Sequence, residues 1–563
     1  MRGVNTMKYI ELEFTLTGER LRLPAGDNLL QIAEKYSHLY KTPVIAAKVG
    51  NVIVELLRPL DKGGQLSFLD LTCVDGIRIY QRGLLFLLHK AVKRLSPKAQ
   101  LHVLHSVGSG IYCEIRQNGQ LFSLTDENLS QIEEDMRRTV QMNLTFEKHE
   151  FYKEDAFNIL RNQGDWERIR LFKFRKKKTV KLYKCGDYWD YFYGYMPPST
   201  GCLRVFKLVR QGEGFLILHP SQRDPHSIGS WKNLPKLSSV FLEYARWLEI
   251  MNIDTVADLN EIIAKSERNV VELMNLTEAL HEKKISQIAE QFHKSKARVI
   301  LIAGPSSSGK TTFAKRLLIQ LRVLGLRPVI ISLDDYFVDR ERTPKDKDGN
   351  YDFDSLGAID IELFNRNLMD LLKGKCVEIP SFDFKLGKRK WTGHRLCLAK
   401  DQPIIIEGIH GLNEALTPQI PRKSKFKIYV SALTQLNLDY HNRISTTDTR
   451  LVRRIVRDYK FRGHSALDTL RMWPKVRRGE ELYIFPFQEE ADAMFNSALP
   501  YELSVLKVFA ESLLIQVQDD SNEYPEALRL LKMLEYFLPI TNIEDIPRTS
   551  ILREFIGRSV FKY

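Results

Sequence analysis

The chain has 563 residues, a net charge of +14, and 44% hydrophobic and 27% charged residues, a composition typical of a globular protein with two to four domains. It contains no run of 18 apolar residues and no signal-peptide pattern, so we expect no membrane span and a cytoplasmic location. The six cysteines form no CxxC pairs and predict reduced thiols, while the positive charge favours polyanionic partners such as nucleotides or RNA.

Residues 7–70 alternate strand-like segments around one helix-like stretch at 29–40. Turn signals lie at Thr17-Gly18, Ala25-Gly26 and Gly63-Gly64. The pattern resembles a TGS domain, a small β-grasp module found in threonyl-tRNA synthetases and certain GTPases.

The block at 75–220 contains YQRGLLFLLHKAVKRLSPKAQLHVLHS, GSGIYCEI and CGDYWDYFYGYMPPST. It resembles the second additional domain of threonyl-tRNA synthetase, an α+β module that edits mischarged tRNA with HxxxH and CxxxH motifs. Arg82 and Phe86 fall at the first two histidine positions, and Cys185 is followed by Trp189 instead of histidine. A cysteine without histidine partners is a poor metal site. We therefore predict no zinc and no editing chemistry, which leaves a binding role.

A basic run at 175–184 leads into an aromatic run at 188–195. Basic groups contact phosphates and aromatic faces stack on bases, so RNA or tRNA contact is one interpretation. The alternative is a β-hairpin with a solvated basic face and its aromatic side chains in a core. Nucleotide sensing or assembly is equally open for this half. The joining region at 221–297 contains two helix-like stretches, which we expect to pack the halves together.

The stretch VILIAGPSSSGKTTFAKRLL at 299–318 joins an apolar run to a glycine-rich turn and an amphipathic segment. It fits GxxxxGK(S/T) without a mismatch and predicts the strand–loop–helix of a phosphate-binding loop. Lys310 would reach the β- and γ-phosphates, and the Thr311 hydroxyl would bind Mg²⁺. The predicted ATP-binding residues of this loop are Gly304, Pro305, Ser306, Ser307, Ser308, Gly309, Lys310, Thr311 and Thr312.

Acidic residues follow two further strand-like runs. Asp334 and Asp335 come after the predicted strand at 327–333, where a carboxylate can accept a proton from an attacking hydroxyl. An Asp pair in this position can also simply cap a turn. Glu407 ends the apolar run of PIIIEGIHGL and predicts a carboxylate that holds Mg²⁺ directly or through water. We assign no role to the neighbouring His410.

Arginines recur at helical spacing in TTDTRLVRRIVRDYKFRGHSALDTLRMWPKVRRGEE. Arg450, Arg454 and Arg457 fall on one helix face, where a row of guanidinium groups can clamp a triphosphate. A solvated helix face is the alternative for the same spacing.

From 298 to 500, the ordered motifs GPSSSGKTT, SLDDYF, YDFDSLGAID, PSFDFKLGKR, IIIEGIHGL and DTRLVRRIVRD resemble the uridine–cytidine kinase group of the phosphoribulokinase/uridine kinase family. The resemblance implies a kinase that uses ATP and Mg²⁺ and that accepts a nucleoside 5′-hydroxyl. The residues with implied roles are Asp334 and Lys310 in catalysis, Asp354 and Arg454 at the ribose, Arg457 and Arg462 over the phosphates of ATP, and Glu407 and Thr311 at the metal.

The chain departs from this family where the base is read. Phe382 stands at the position of a base-reading tyrosine, and Gly387 at that of a base-reading histidine. Met472 and His464 replace a base-side glutamine and a lid arginine. A pocket without these polar groups discriminates less between the bases that they would bind. Uridine or cytidine is the default substrate that the resemblance implies, and other nucleosides stay open.

We therefore expect a multidomain α/β protein: a β-grasp TGS-like module, an α+β synthetase-like module and a C-terminal P-loop NTPase kinase domain with a parallel sheet. Helices at 501–563 would complete the kinase domain. The predicted activity is phosphorylation of a nucleoside to its 5′-monophosphate. The alternative is an RNA-binding or translation-linked regulatory ATPase that uses the N-terminal half. A homo-oligomer stays open.

Overall fold

The computed structural model describes residues 8–108, 110–229, 231–383, 386–399 and 401–562. Residue 7, residues 384 and 385 of the PSFDFKLGKR motif, and residue 563 of the predicted C-terminal segment lie outside the described residues. Within the part of the chain that the structure describes, no helix is both long enough and apolar enough to cross a membrane.

The strands are β1 (Tyr9–Phe14), β2 (Arg20–Pro24), β3 (Ala46–Val49), β4 (Val52–Val54), β5 (Gly64–Leu69), β6 (Ala99–Val107), β7 (Gly110–Gln117), β8 (Gln120–Leu121), β9 (Glu147–Tyr152), β10 (Thr179–Cys185), β11 (Tyr188–Asp190), β12 (Lys207–Gln211), β13 (Gly214–Leu218), β14 (Val299–Ala303), β15 (Val329–Ser332), β16 (Val377–Glu378), β17 (Ser381–Asp383), β18 (Lys388–Lys390), β19 (Arg395–Leu396), β20 (Ile404–Glu407), β21 (Lys425–Ser431) and β22 (Ala493–Asn496). The α-helices are α1 (Leu30–Tyr36), α2 (Val74–Leu95), α3 (Asp126–Gln141), α4 (Lys153–Gln163), α5 (Trp166–Lys173), α6 (Pro235–Ile250), α7 (Val256–Lys265), α8 (Glu267–Ser295), α9 (Lys310–Val323), α10 (Ile361–Leu372), α11 (Thr446–Arg462), α12 (Ala466–Tyr483), α13 (Glu502–Leu514), α14 (Tyr524–Leu534) and α15 (Arg553–Ile556).

The N-terminal sheet has the strand order β2-β1-β5-β3-β4, with the single helix α1 beside it. Strand β1 alternates exposed and buried residues, and its buried side chains Ile10, Leu12 and Phe14 enter the core under that helix. The helix-like stretch predicted at 29–40 ends earlier as an α-helix and continues as a 3₁₀ turn at Ser37–Leu39.

The next block contains a sheet with the order β12-β13-β7-β6, a short β8 on β7, and a three-stranded sheet β11-β10-β9. The basic run and the aromatic run form the antiparallel hairpin β10–β11. Tyr188, Tyr191 and Phe192 are buried, which supports the packed-hairpin interpretation for these three rings, while Trp189, Tyr193 and Tyr195 are only partly buried. The rings pack because burial of large aromatic groups is strongly favourable.

The joining region is helical, but it forms three helices, α6, α7 and α8, because the second predicted stretch is divided at Ser266, which caps the start of α8. Their apolar faces share one core with residues from both halves. In that core Tyr191 of the synthetase-like block and Tyr536 near the C-terminus join Met274 of α8. The two halves therefore pack through a continuous hydrophobic core rather than through a flexible linker.

The C-terminal sheet is five-stranded and entirely parallel, in the order β15-β20-β14-β21-β22. Its central strand β14 is buried on both faces, as expected for a parallel sheet covered by helices. The chain then passes through the glycine-rich loop into α9, which confirms the predicted strand–loop–helix.

The prediction of reduced thiols is wrong for two cysteines. Cys376 and Cys397 form a disulfide, with their Cα atoms 4.2 Å apart. They flank the antiparallel pair β16–β19, in which Val377 lies opposite Leu396, so the strand register brings the cysteines together. This proximity depends on strand pairing across 21 residues and could not be read from cysteine spacing. Cys73, Cys113, Cys185 and Cys202 are free.

Candidate active site at the phosphate loop

The loop between β14 and α9 has the backbone shape of an anion cradle. Ser307 and Gly309 have positive φ values of 58° and 81°, which turn successive N–H groups toward one side. A Cβ at Gly304 would collide with the carbonyl oxygen of Val430 in the neighbouring strand. Glycine at position 304 therefore lets the loop pass close to the sheet.

Two serine side chains in this loop have unsatisfied hydroxyl groups. The Oγ atoms of Ser307 and Ser308 are buried and have no hydrogen-bond partner among the described residues. Lys310 donates to the carbonyl oxygens of Gly304 at 2.9 Å and Pro305 at 3.2 Å. Burial lowers the pKa of this ammonium group. A bound polyphosphate would supply partners for these donors, which fits the predicted ATP site.

Carboxylates from two strand ends face the start of α9. Glu407, at the end of β20, accepts a hydrogen bond from the Thr311 hydroxyl at 3.3 Å. Burial raises the pKa of Glu407 to about 7 and that of Asp334 in the same direction, and Lys310 opposes both shifts. Carboxylate and hydroxyl oxygens are ligands that suit Mg²⁺. The residues predicted to bind metal are thus adjacent, and their buried negative charge fits a divalent cation.

Helix α11 carries arginines toward this site from its C-terminal half. Arg454 donates to the Ser306 hydroxyl at 2.7 Å, and its Nε lies 3.1 Å from a carboxylate oxygen of Asp458. Arg457 binds the same carboxylate at 2.7 Å, and Arg462 lies 3.7 Å from it. The carboxylate of Asp458 therefore lies next to all three arginines for which the family resemblance implies contacts with the nucleoside or ATP.

The predicted arginine row is wrong at its first member. Arg450 is buried and forms a bidentate ion pair with Glu480 of α12. Arg453 is likewise buried against Glu502 of α13. Helical spacing alone could not show that α11 is covered by α12 and α13, which turns its N-terminal arginines into structural groups. Arg450 also donates to the carbonyl oxygen of Ser306 at 3.0 Å, so it supports the loop from behind.

Asp354 lies close enough to Arg454 for each charge to shift the pKa of the other group. Burial raises the pKa of its carboxyl group to about 6. It packs against Gly479 of α12, where a Cβ would come within 2.5 Å of Oδ2 of Asp354. The structure therefore brings Asp354 and Arg454 together at the wall formed by α12.

Two of the four positions that depart from the family pattern, Phe382 and Gly387, contact the segment that follows β15, whereas Met472 lies in α12 and His464 lies between α11 and α12. Phe382 is buried with Phe337 and Ala358. Gly387 has a φ of 66°, and a Cβ there would lie 2.6 Å from Nε of Arg340. A larger side chain at 387 is therefore incompatible with this arrangement, since it would need both a strained backbone and displacement of that guanidinium group.

Two residues at the phosphate loop were missed by the sequence analysis. Glu554 of α15 accepts a hydrogen bond from the Thr312 hydroxyl at 2.6 Å. Glu480 of α12 accepts from the backbone N–H of Ser306 at 3.0 Å. Glu554 lies in a segment with no recognisable motif, and Glu480 lies near the end of a stretch in which only the arginines form a recognisable pattern, so only the packing of α12 and α15 on the loop could have revealed them.

His410 is buried, with its ring 5.8 Å from that of Tyr483, and burial lowers its pKa to about 4. The structure gives it no contact with the phosphate loop.

In the synthetase-like block, Phe86 and Cys185 both lie in a hydrophobic core. Among the described residues, His89, Asp190 and His441 form the group whose metal-ligating atoms lie within 4.8 Å of one another. Arg168 binds the Asp190 carboxylate at 2.7 Å and already balances its charge.

Residues 299–503 match the family described as Phosphoribulokinase / Uridine kinase family. The chain is also 29% identical over 187 residues to the Threonine--tRNA ligase of Geobacillus sp. (strain WCH70), covering 33% of this chain and 29% of that protein. The Threonine--tRNA ligase of Rubrobacter xylanophilus is 28% identical over 191 residues, covering 34% of this chain and 29% of that protein. This chain thus spans less than a third of the length of these relatives.

Among solved structures, a possible uridine kinase from Bacillus stearothermophilus is 24% identical, with a TM-score of 0.23, covering 26% of this chain and 79% of that one. By sequence, the C-terminal segment is similar to the phosphoribulokinase/uridine kinase family and the N-terminal segment is similar to threonyl-tRNA synthetases.

Proposed function

We propose that the protein transfers the γ-phosphoryl group of ATP to the 5′-hydroxyl of a nucleoside, with uridine or cytidine as the default acceptor. The observation that carries the proposal is the convergence of Lys310, Asp334 and Glu407 at one end of a parallel sheet, beside a loop shaped to hold phosphate. The kinase family match over 299–503 supports the reaction class.

Asp334 is the proposed acceptor of the hydroxyl proton. It follows the carboxyl end of β15, and ligands of open parallel sheets bind at the carboxyl ends of the strands. Burial raises the pKa of Asp334. A base whose pKa lies closer to neutrality transfers protons more effectively at physiological pH. Arg462 lies close enough to affect the pKa of Asp334, and would counter the charge on the transferred phosphoryl group.

Glu407 and Thr311 are the groups that would hold Mg²⁺. When bound, the cation would neutralise charge on the phosphates of ATP. Lys310 would exchange its contacts with loop carbonyls for phosphate oxygens, and Arg454, Arg457 and Arg462 would close over them. These are electrostatic and positioning effects, which dominate catalysis in this reaction class.

The test is phosphoryl transfer from Mg·ATP by the full-length protein to a panel of acceptors. The panel holds uridine, cytidine, adenosine, guanosine, inosine and thymidine, with ribulose 5-phosphate and fructose as sugar acceptors. We expect a nucleoside 5′-monophosphate as product and a loss of at least about a hundredfold in turnover for Asp334→Asn. Asp335→Asn is the matched control, because the next carboxylate accepts a backbone hydrogen bond from Phe382 instead.

Equal turnover by Asp334→Asn and wild type would remove Asp334 from its assigned role. Exclusive phosphorylation of a sugar acceptor would contradict the nucleoside while keeping the kinase. The second candidate is an RNA-regulated ATPase, which the similarity to Threonine--tRNA ligases favours. It predicts no transfer to any acceptor and ATP hydrolysis that increases when tRNA is added.

A further inference from the structure

A cavity of about 960 Å³ lies between the two halves of the chain. Its walls come from α2, from the first turn of α11, from α12 and from α14. None of the residues 304–312 lines it, so it is distinct from the phosphate loop. Its volume falls in the range of roughly 300–1,000 Å³ that small-molecule sites occupy.

Arginine dominates the charged lining of this cavity. Among the described residues, eight arginines and five carboxylates line it, which gives it a net positive charge. Some of these charges are paired with each other: Arg78 binds Glu526 at 2.7 Å, and Arg529 binds Asp448 at 2.6 Å. The first of these pairs joins the synthetase-like block to the C-terminal half, and the second joins α14 to α11 within that half.

Two lining arginines have no such partner. Arg82 of α2 and Arg443, just before α11, line the cavity, and neither forms an ion pair with a described carboxylate. Arg82 donates to the carbonyl oxygen of Tyr195 at 3.2 Å, and burial lowers the pKa of both guanidinium groups. The charge of Asp448 raises the pKa of Arg443, but Asp448 forms no ion pair with it, and a buried guanidinium group without a directly paired counter-charge is destabilising. A bound anion would supply that charge.

The cavity also has an apolar part of its lining, contributed by Leu85 and Phe192 of the synthetase-like block and by Leu470 and Trp473 of α12. We propose that it binds a small molecule that carries a polyphosphate group next to a flat or apolar body, which is the chemistry of a nucleoside polyphosphate. Guanidinium groups match phosphate oxygens in a bidentate geometry, and the apolar wall would accept the rest of the molecule. This site is additional to the proposed ATP site.

Helix α12 connects the cavity to the phosphate loop. Arg477 lines the cavity and binds Glu480 at 2.8 Å. Glu480 in turn accepts from the N–H of Ser306 in the loop at 3.0 Å. An anion that draws Arg477 into the cavity would weaken its pairing with Glu480. We therefore expect occupancy of the cavity to alter how the loop binds ATP.

The experiment measures binding of inorganic tripolyphosphate and of UTP to the full-length protein by titration calorimetry. Lys310→Ala is used as the background, because it weakens binding at the phosphate loop. We expect binding to persist in that background and to weaken at least about tenfold with either Arg82→Gln or Arg443→Gln. Arg366→Gln replaces an exposed arginine of α10 outside the cavity and is the control. Tighter binding of UTP than of tripolyphosphate would show that the nucleoside contacts the apolar wall.

Loss of all binding in Lys310→Ala would overturn the proposal, as would unchanged affinity in both Arg82→Gln and Arg443→Gln. Thermal melting with and without tripolyphosphate separates binding from structural roles. Because a ligand stabilises the folded state only where it binds, saturating tripolyphosphate should raise the melting temperature of wild type by more than that of either variant. An equal rise in wild type and in both variants would contradict the inference.

The link to the loop rests on the proposed kinase function and has its own readout. Saturating tripolyphosphate can change the KM for ATP by competing at the ATP site or by binding in the cavity, and in Arg443→Gln only the competition is expected. The change in the KM for ATP should therefore be at least about twofold larger or smaller in wild type than in Arg443→Gln. An identical change in both proteins would overturn the link. Absence of kinase activity would contradict the proposed function without affecting the calorimetric result.

Discussion

Gly479 marks the closest approach of helix α12 to the proposed ribose-binding carboxylate. A Cβ at this position would lie 2.5 Å from Oδ2 and 2.9 Å from both Cβ and Cγ of Asp354. Rotation of the carboxylate relieves only the first contact, because the Cβ atom of Asp354 is fixed to the backbone. Gly479→Ala should therefore displace Asp354 and weaken nucleoside binding while leaving the ATP site in place.

The magnitude follows from opposing contributions. Alanine favours the helix by about 1 kcal/mol over glycine, and overpacking costs about 1–3 kcal/mol, so the free energy of unfolding should change little. Hydrogen bonds to a charged group contribute about 1.5–3 kcal/mol. Their loss corresponds to a nucleoside KM raised about 10- to 150-fold, because 1.4 kcal/mol is a factor of ten. The KM for ATP should stay within about twofold of wild type.

The assay is steady-state kinetics with each substrate varied, together with thermal melting. Gly229→Ala is the matched control, because a Cβ there meets nothing within 4 Å. The nucleoside KM of the double variant Gly479→Ala/Asp354→Ala should match that of Asp354→Ala, since Gly479→Ala weakens nucleoside binding through the Asp354 carboxylate. A nucleoside KM that is unchanged by Gly479→Ala would refute the reasoning, and so would full additivity in the double variant.

Three further predictions concern the surroundings of the same site. Glu480→Gln leaves the buried guanidinium of Arg450 without a counter-charge and should lower the free energy of unfolding by about 3–5 kcal/mol, measured by denaturant titration; a loss below about 1 kcal/mol would contradict this. Because the pKa of Asp354 is raised to about 6, its carboxyl group is protonated and uncharged below that pH. The dissociation constant of 5′-deoxyuridine should then rise up to about tenfold per pH unit in wild type, and calorimetry should show no such rise in Asp354→Asn. Gly387→His should lower the melting temperature and should not raise uridine turnover, because a side chain at 387 meets Arg340 and a positive φ; increased uridine turnover would contradict this.

The sequence predicted the kinase segment well where one motif carries both structure and chemistry. The loop at 304–311, the strand that ends in Glu407 and the helix that bears Arg457 all occur as predicted. In each case the periodicity of apolar residues and the position of the polar group lie within one short segment. Such local signals are the ones that a single sequence carries most clearly.

The sequence failed where a role depends on packing between distant segments. Arg450 and Arg457 lie on the same face of α11, but Arg450 is ion-paired with Glu480. Arg457 lies close enough to Lys310 of the phosphate loop to affect its pKa. Glu554 reaches Thr312 from 242 positions away. The disulfide between Cys376 and Cys397 likewise depends on strand register. No pattern within a window of residues contains this information.

Helix α12 gives a physical reason for joining the two halves in one chain. One face lines the cavity that Arg82 of the synthetase-like block helps to form, while Gly479 and Glu480 contact Asp354 and the phosphate loop. Pro474 lies inside α12 and has no backbone N–H to bond to the preceding turn. Because the walls of the cavity come from both halves, an anion that binds there can affect the phosphate loop only when both halves are present.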